Sequence, residues 1–389
     1  MPNSVIQQGR SSDQSVLDIY LSGAPKFQSL FGGSMTEQTP QEQLNARLSS
    51  IRYKVQSLQS DVRLASVRDQ VEDLDSDLHK IEQRVQSLRA KGYVFGKGLE
   101  ARAKAYCERW ETLHPQILRQ IEMQSPALQS ELSIITAQMS QLEAAAGNPS
   151  VGLPMAERFE RTLSTFESKV GAARSAIQGS YNSFQAEVQA TEQELDRIEW
   201  MLTQLAEASF KLLPTEGAIM AVKARYARDE RMEKDDPKGV LYLTDQRLIF
   251  ERKEEVATKK FLFIATEKET VQELILEAPV ALVEKVETAK KGLFKNEDHL
   301  TIHFGHGAPV RSAWFHLEGQ DCEAWQALIN RACAKDFEGD RAVAVDQKAA
   351  EKVKSAPTQC PSCGAPINQQ ILRGMDSVTC EYCHHVIRI

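Results

Sequence analysis

Between residues 41 and 210, apolar residues return every three or four positions in three segments of nearly equal length. In the first segment the seam is Leu44, Leu48, Ile51, Val55, Leu58 and Val62, then Val67, Val71, Leu74, Leu78, Ile81, Val85 and Leu88. Spacing of this kind draws one narrow apolar stripe along a helix. The step from Val62 to Val67 fits neither three nor four and marks a phase slip, which a bundle tolerates. Gly and Pro at 92–98 and 147–154 end helices for steric and hydrogen-bonding reasons, so the chain can reverse at each. The three segments are then 41–91, 99–146 and 155–210. The third has its own seam, from Phe159, Leu163, Phe166, Val170, Ala173 and Ile177 to Tyr181, Phe184, Val188, Leu195, Ile198, Leu202 and Leu205. Pro115 and Pro126 interrupt the second and predict a kinked or split helix. Matched lengths predict an up-down-up bundle within one chain. The same seams also permit a coiled coil shared between chains, which would make the helical region a homo-oligomer interface.

From Leu213 the period falls to two, the signature of strands. Short strands are expected at 219–226, 240–243, 247–251, 261–264, 271–276, 280–286, 299–304 and 310–317. After Gly319 the helical period returns, with Cys322, Trp325, Leu328, Ile329 and Ala332 on one face. One hairpin has distinctive wording: Gly239, Val240, Leu241, Tyr242, Leu243 and Thr244, the turn Asp245 and Gln246, then Arg247, Leu248, Ile249 and Phe250. With the order of elements, it resembles the GRAM and bacterial PH-like family over residues 213–337. That resemblance implies a bent antiparallel sheet closed by the helix carrying Trp325. It further implies a module of a kind that binds phosphorylated lipids or proteins, although a fold alone does not settle function.

The expected organisation is therefore multidomain, α then α+β: a mostly disordered tail (1–40), a long antiparallel helical bundle or coiled coil (41–210), a PH/GRAM-like domain (213–337), a linker (338–358) and a small zinc ribbon (359–389). The tail is rich in Ser, Gln and Gly, yet it carries Val16, Leu17, Ile19, Tyr20 and Leu21, then Phe27, Leu30 and Phe31. These either pack back on the chain or dock a partner.

The ribbon reading rests on Cys360-Pro-Ser-Cys363 and Cys380-Glu-Tyr-Cys383. Each short turn aims two sulfurs at one point, and four thiolates give zinc its tetrahedral shell. With every position taken by sulfur, the Zn2+ is structural and supplies folding energy to a module too small for its own core. The ribbon resemblance places Gly after the second CxxC, where this chain has His384, and exchange of His384 or His385 for a cysteine is the alternative ligand set. The remaining cysteines, Cys107, Cys322 and Cys333, are scattered. That pattern fits a reduced, cytoplasmic setting.

Charge narrows the partners. The net charge is -7, and the ribbon sets only Arg373 and Arg388 against Asp376 and Glu381, so nucleic acid is disfavoured and protein is the expected partner. Residues 213–337 hold 19 Lys and Arg against 22 Asp and Glu, so only a local patch could meet an anionic membrane at the inner face. The candidate is the loop with Lys290, Lys291 and Lys295 around Leu293 and Phe294, basic groups flanking an apolar tip. The same loop also reads as a solvated turn with Leu293 and Phe294 tucked into the sheet. His299 and His303 share one strand face and His316 lies in the next strand; they read as polar positions on the exposed face, with no carboxylate at ligand spacing to suggest a metal. Trp314 and Trp325 read as core. No G-x-S-x-G, phosphate-binding loop or H-E-x-x-H is present. The sequence expectation is a non-enzymatic adaptor or scaffold, with anionic-lipid binding and nucleic-acid binding as the alternatives.

Overall fold

The structure, a computed structural model, describes residues 38–233, 235–261, 264–292, 294, 296–345 and 347–389, with the backbone alone at 256–261, 264–270, 347, 349, 350 and 354. The apolar cluster of Leu17, Ile19, Tyr20, Leu21, Phe27, Leu30 and Phe31 lies outside the described residues, as do Leu293 and Lys295. Five helices come first: α1 (Pro40–Asp61), α2 (Ala65–Ala90), α3 (Leu99–Ala144), α4 (Pro149–Gly179) and α5 (Asn182–Ala206). The chain divides into two compact units, one holding residues up to Gln56 with Ile134–Ser164, the other Ser57–Ser133 with Thr165–Ile389.

In the first unit, the start of α1 buries Leu44, Leu48 and Ile51, the end of α3 buries Leu142, and the start of α4 buries Ala156. Gly152 permits the approach of Leu44, since a Cβ there would stand 2.5 Å from a Leu44 methyl. Arg47 pairs with Glu160 and Arg52 with Glu143.

In the second unit the helices run up, down and up. Asp61 meets Arg174, Gln70 meets Tyr181 and Arg84 meets Asp196, so α1–α2 and α4–α5 are parallel. Trp110 Nε1 donates to Asp75 at 2.7 Å and Tyr106 reaches Thr191, so α3 opposes both. The predicted seams are buried here within one chain, Val67, Val71, Leu88, Phe184, Val188 and Leu195 completely. Each such side chain contributes roughly 1.5–3 kcal/mol by leaving water.

Two expectations change. The slip between Val62 and Val67 is a break, not a continuous helix: Leu64 takes φ 54, the left-handed region, while fully buried. The three residues between α1 and α2 reset the stripe, and the apolar drive to bury Leu64 outweighs its backbone strain. Conversely, α3 runs unsplit through Pro115 and Pro126. Ser125, just before the second proline, donates from its hydroxyl to the Val62 carbonyl at 2.9 Å, satisfying a group freed by the break.

The sheet follows: β1 (Ala218–Ala227), β2 (Lys238–Thr244), β3 (Arg247–Phe261), β4 (Ile264–Pro279), β5 (Val283–Lys291), β6 (Glu297–Phe304) and β7 (Ser312–Glu318). All neighbours are antiparallel, in the order β4-β3-β2-β1-β7-β6-β5. The separate strand expected at 261–264 is instead where β3 and β4 meet, Phe261 pairing with Ile264. Tyr226, Phe250 and Phe315 pack their rings at 5.4–5.7 Å in the core between the central strands. Helix α6 (Cys322–Cys333) covers one end. Its Asp321 cap accepts from the Ala324 N–H, and Trp325 is buried with its indole N–H on Gln320. Trp314, by contrast, is half-buried on the opposite face. Gly239, the first residue of the distinctive hairpin, has no room for a side chain: a Cβ would lie 1.9 Å from the Glu251 carbonyl oxygen.

Residues 338–358 are pinned at their start. Ala342 N–H donates to Val94 O and Lys97 N–H to Asp340 O, and Phe337 packs edge-on against Phe95 at 5.7 Å. A short helix, α7 (Gln347–Lys354), precedes β8 (Ser377–Thr379) and β9 (Val386–Arg388), which pair as a two-stranded ribbon.

Candidate metal centre and its seat on the sheet

Two nearly identical turns build the cysteine cluster. In the first, Gly364 N–H donates to Cys360 O at 2.8 Å and Cys360 N–H to Ala365 O at 2.8 Å. In the second, His384 N–H donates to Cys380 O at 2.9 Å and Cys380 N–H to His385 O at 3.0 Å. Gly364 has φ 73, and His384 adopts the same left-handed conformation at φ 56. The place expected for glycine is thus held by a strained histidine, with the turn intact. His384 and His385 are exposed and lie outside the cluster of four cysteines.

The four Sγ atoms lie within 4.8 Å of one another, with Cys360 to Cys383 at 3.6 Å and Cys363 to Cys380 at 3.7 Å. Sulfurs bound tetrahedrally at about 2.3 Å from a metal stand about 3.8 Å apart, so the donor set fits such an ion. Burial raises the Cys360 thiol, but the N–H groups of Cys363 and Ser362 and the Cys383 thiol outweigh it and bring it down to about 6, while Cys363, against the Ala365 N–H, is pushed up to about 12 by the neighbouring thiols and burial. A thiolate is the form a metal takes. Cys360, Cys380 and Ile387 form the small core, with Ala365 and Ile367 against it.

The ribbon is seated on the sheet through the turn between β2 and β3. Arg373 N–H donates to Gln246 Oε1 at 2.6 Å, and Gln246 Nε2 donates to Arg373 O at 2.9 Å. The Arg373 guanidinium reaches Asp245 at 2.5 Å, and Arg341 reaches the same carboxylate oxygen at 2.6 Å. Asp245 also accepts from Gly217 N–H, and Arg341 lies 4.9 Å over the Phe95 ring. Beside it, Arg247 is buried against Glu216 and also pairs with Glu277 at 2.7 Å, while Thr244 donates to Glu216 at 2.5 Å. The four residues Thr244 to Arg247, of which Asp245 and Gln246 read in the sequence as a polar turn, are therefore a junction joining sheet, ribbon and the segment after α6. Sequence reasoning missed it because its partners lie up to 128 positions away.

The proposed membrane loop is only partly assembled. Lys290 is bound to Asp298 and Asp321, which raise its ammonium above its usual range, so it is not free to meet a headgroup. Lys291 is exposed, and Phe294 is 88% exposed, not tucked into the sheet. Among the described helices none is long and apolar enough to cross a membrane. The histidines also differ from expectation: His299 is buried, stacked on His316 with centroids 4.9 Å apart, while His303 contacts Ser312 and Glu287.

No family model matches the chain, and no curated protein is similar to it. Among solved structures, the Vps36 N-terminal PH domain is similar at 13% identity, covering 32% of this chain and 84% of that one, with a TM-score of 0.23. The DH/PH domains of PDZ-RhoGEF, in a complex with GTP-γ-S activated RhoA, match at 14% identity over 76% and 93% of the two chains, TM-score 0.21. The linker-DH/PH domains of p115-RhoGEF match at 10% over 76% and 98%, TM-score 0.20. Likenesses this distant transfer no role.

Proposed function

We propose that this chain is a non-enzymatic adaptor that presents a structural zinc ribbon to a partner protein from a fixed position on the sheet. The observation that carries the reading is the seat itself: Gln246 and Asp245 hold Arg373 by backbone and side chain. A ribbon so held can offer a defined surface instead of a swinging one. Tyr382 is 62% and Val386 56% exposed, apolar groups at and just after the second cysteine turn. Four sulfurs leave a zinc ion no open position for water, which supports a structural ion over a catalytic one. Of the ribbon's two arginines, Arg373 is engaged with Asp245, leaving Arg388 beside Glu381 and Asp376, a poor electrostatic match for nucleic acid.

The test is affinity capture at native expression from the full chain and from a Tyr382→Ser, Val386→Ser variant. Retention of a protein partner by the first and its loss from the second supports the proposal. Identical recovery by both, or salt-sensitive binding of DNA or RNA in place of protein, overturns it. The exposure of Phe294 favours a second reading, contact with an anionic membrane. Flotation with phosphatidylserine vesicles that is abolished by Phe294→Asp with Lys291→Glu supports it, and flotation unchanged by these substitutions, or none at all, removes it.

A further inference from the structure

The outer face of the sheet carries a second set of metal-ligating groups, unrelated to the cysteines. The β6–β7 register sets His299 directly opposite His316. Alternation along β6 then puts Glu297 on the same face as His299, two residues earlier. One nitrogen from each ring and one carboxylate oxygen lie within 4.8 Å of one another, with Glu297 Oε2 3.5 Å from His299 Nε2. We propose that Glu297, His299 and His316 form a second site for a divalent transition-metal ion of the zinc class, occupied independently of the ribbon.

The donor set suits such an ion. Two imidazoles and a carboxylate are borderline ligands that select zinc, copper or nickel over magnesium or calcium. Bond lengths of about 2.0–2.1 Å require ligand atoms about 3.4 Å apart, so the set must tighten from its present spread. Glu297 can supply that movement because its side chain is half exposed, whereas His299 is fixed between strands. On the β5 side the residue opposite His299 is Ala289, exposed and small.

The protonation state fits as well. Two rings stacked with planes 14° apart cannot both be cationic without repulsion. Burial, together with the nearby Lys291 and His316 and against the pull of Glu297, keeps His299 below the ordinary imidazole range. The neutral ring is the form that binds metal. Of the two flanking cations, Arg225, opposite His316, has its own acidic neighbour in Glu318 at 3.8 Å, whereas Lys291 stands opposite Glu297 in register and shares that carboxylate with the site.

The experiment titrates Zn2+ by calorimetry into full-length protein whose ribbon is already zinc-loaded, as verified by one retained equivalent after desalting. A further saturable equivalent is expected, weakened about tenfold or more in His316→Gln and in Glu297→Gln, with circular dichroism unchanged. Because His299 is buried and its replacement could unfold the sheet, the wild-type chain provides the second readout: the 15N shifts of both His299 and His316 should move together as zinc is added. A titration with no further equivalent, or one whose affinity the two variants leave unchanged, or zinc addition that leaves either ring's shifts in place, overturns the site.

Discussion

Gln246 and Arg373 hydrogen bond in both directions, the arginine N–H to the glutamine carbonyl oxygen at 2.6 Å and the glutamine amide to the arginine carbonyl at 2.9 Å. A side chain on the sheet thus stands in for a neighbouring strand, and the ribbon loop is received as if it were one more rung. The backbone groups of Arg373 are satisfied by this pairing, which is what a loop between two modules needs if it is to be buried at all.

The adjoining carboxylate makes the seat measurable. Asp245→Ala would leave Arg341 and Arg373, both largely buried, without their shared anion. Breaking a buried charge pair from one side costs about 3–5 kcal/mol. Chemical denaturation followed by circular dichroism should show a loss of that order, and hydrogen exchange should rise at residues 370–375. Asp245→Asn, which keeps the shape and one acceptor, should lose less; equal losses would mean that charge alone, not packing or the remaining acceptor, holds the contact.

His384 offers a gain. A non-glycine residue in the left-handed region costs on the order of 1–3 kcal/mol, partly offset for glycine by its freer unfolded chain. His384→Gly should therefore tighten binding of added Zn2+ to the cysteine cluster by about 0.5–1 kcal/mol, read as a several-fold shift in competition with a chelator. His384→Val, whose branched side chain tolerates that conformation least, should weaken it.

Leu64 has the same kind of backbone with the opposite outcome. Its left-handed φ costs roughly 1–2 kcal/mol, but its side chain is fully buried between α1 and α2. Emptying a buried leucine site costs about 2–5 kcal/mol. Leu64→Gly should accordingly lower the denaturation midpoint even though it relieves strain, and a rise in stability would show that the backbone term dominates.

These residues also show what the sequence could reveal. The helical seams were legible because a burial stripe repeats at a fixed period, and the cysteine turns because metal chemistry fixes their spacing. Leu64 was not, since a five-residue step looks the same whether the helix overwinds or breaks. Pro115 and Pro126 suggested a break that α3 does not make, because α3 absorbs both within its length and Ser125 caps the neighbouring helix instead. Glu297, two residues before His299, was overlooked when no carboxylate was read at ligand spacing to His299, His303 and His316, because only the β6–β7 register brings His316 to the same place. Asp245 and Arg341 carried no local signal at all: each looks like an ordinary surface charge until the fold brings it opposite its partner.

The seat of the ribbon has a temporal meaning. Arg373 closes onto Thr215, 158 positions earlier, and onto Asp245, 128 positions earlier. Contacts that distant pay their loop-closure entropy before they return any stabilisation. During synthesis the turn at Asp245 and Gln246 can meet Gly217 and Arg341 early, but its contacts to Arg373 must wait until residue 373 has emerged. The helices and sheet can be assembled by then, so docking of the ribbon comes after the surface that receives it has formed.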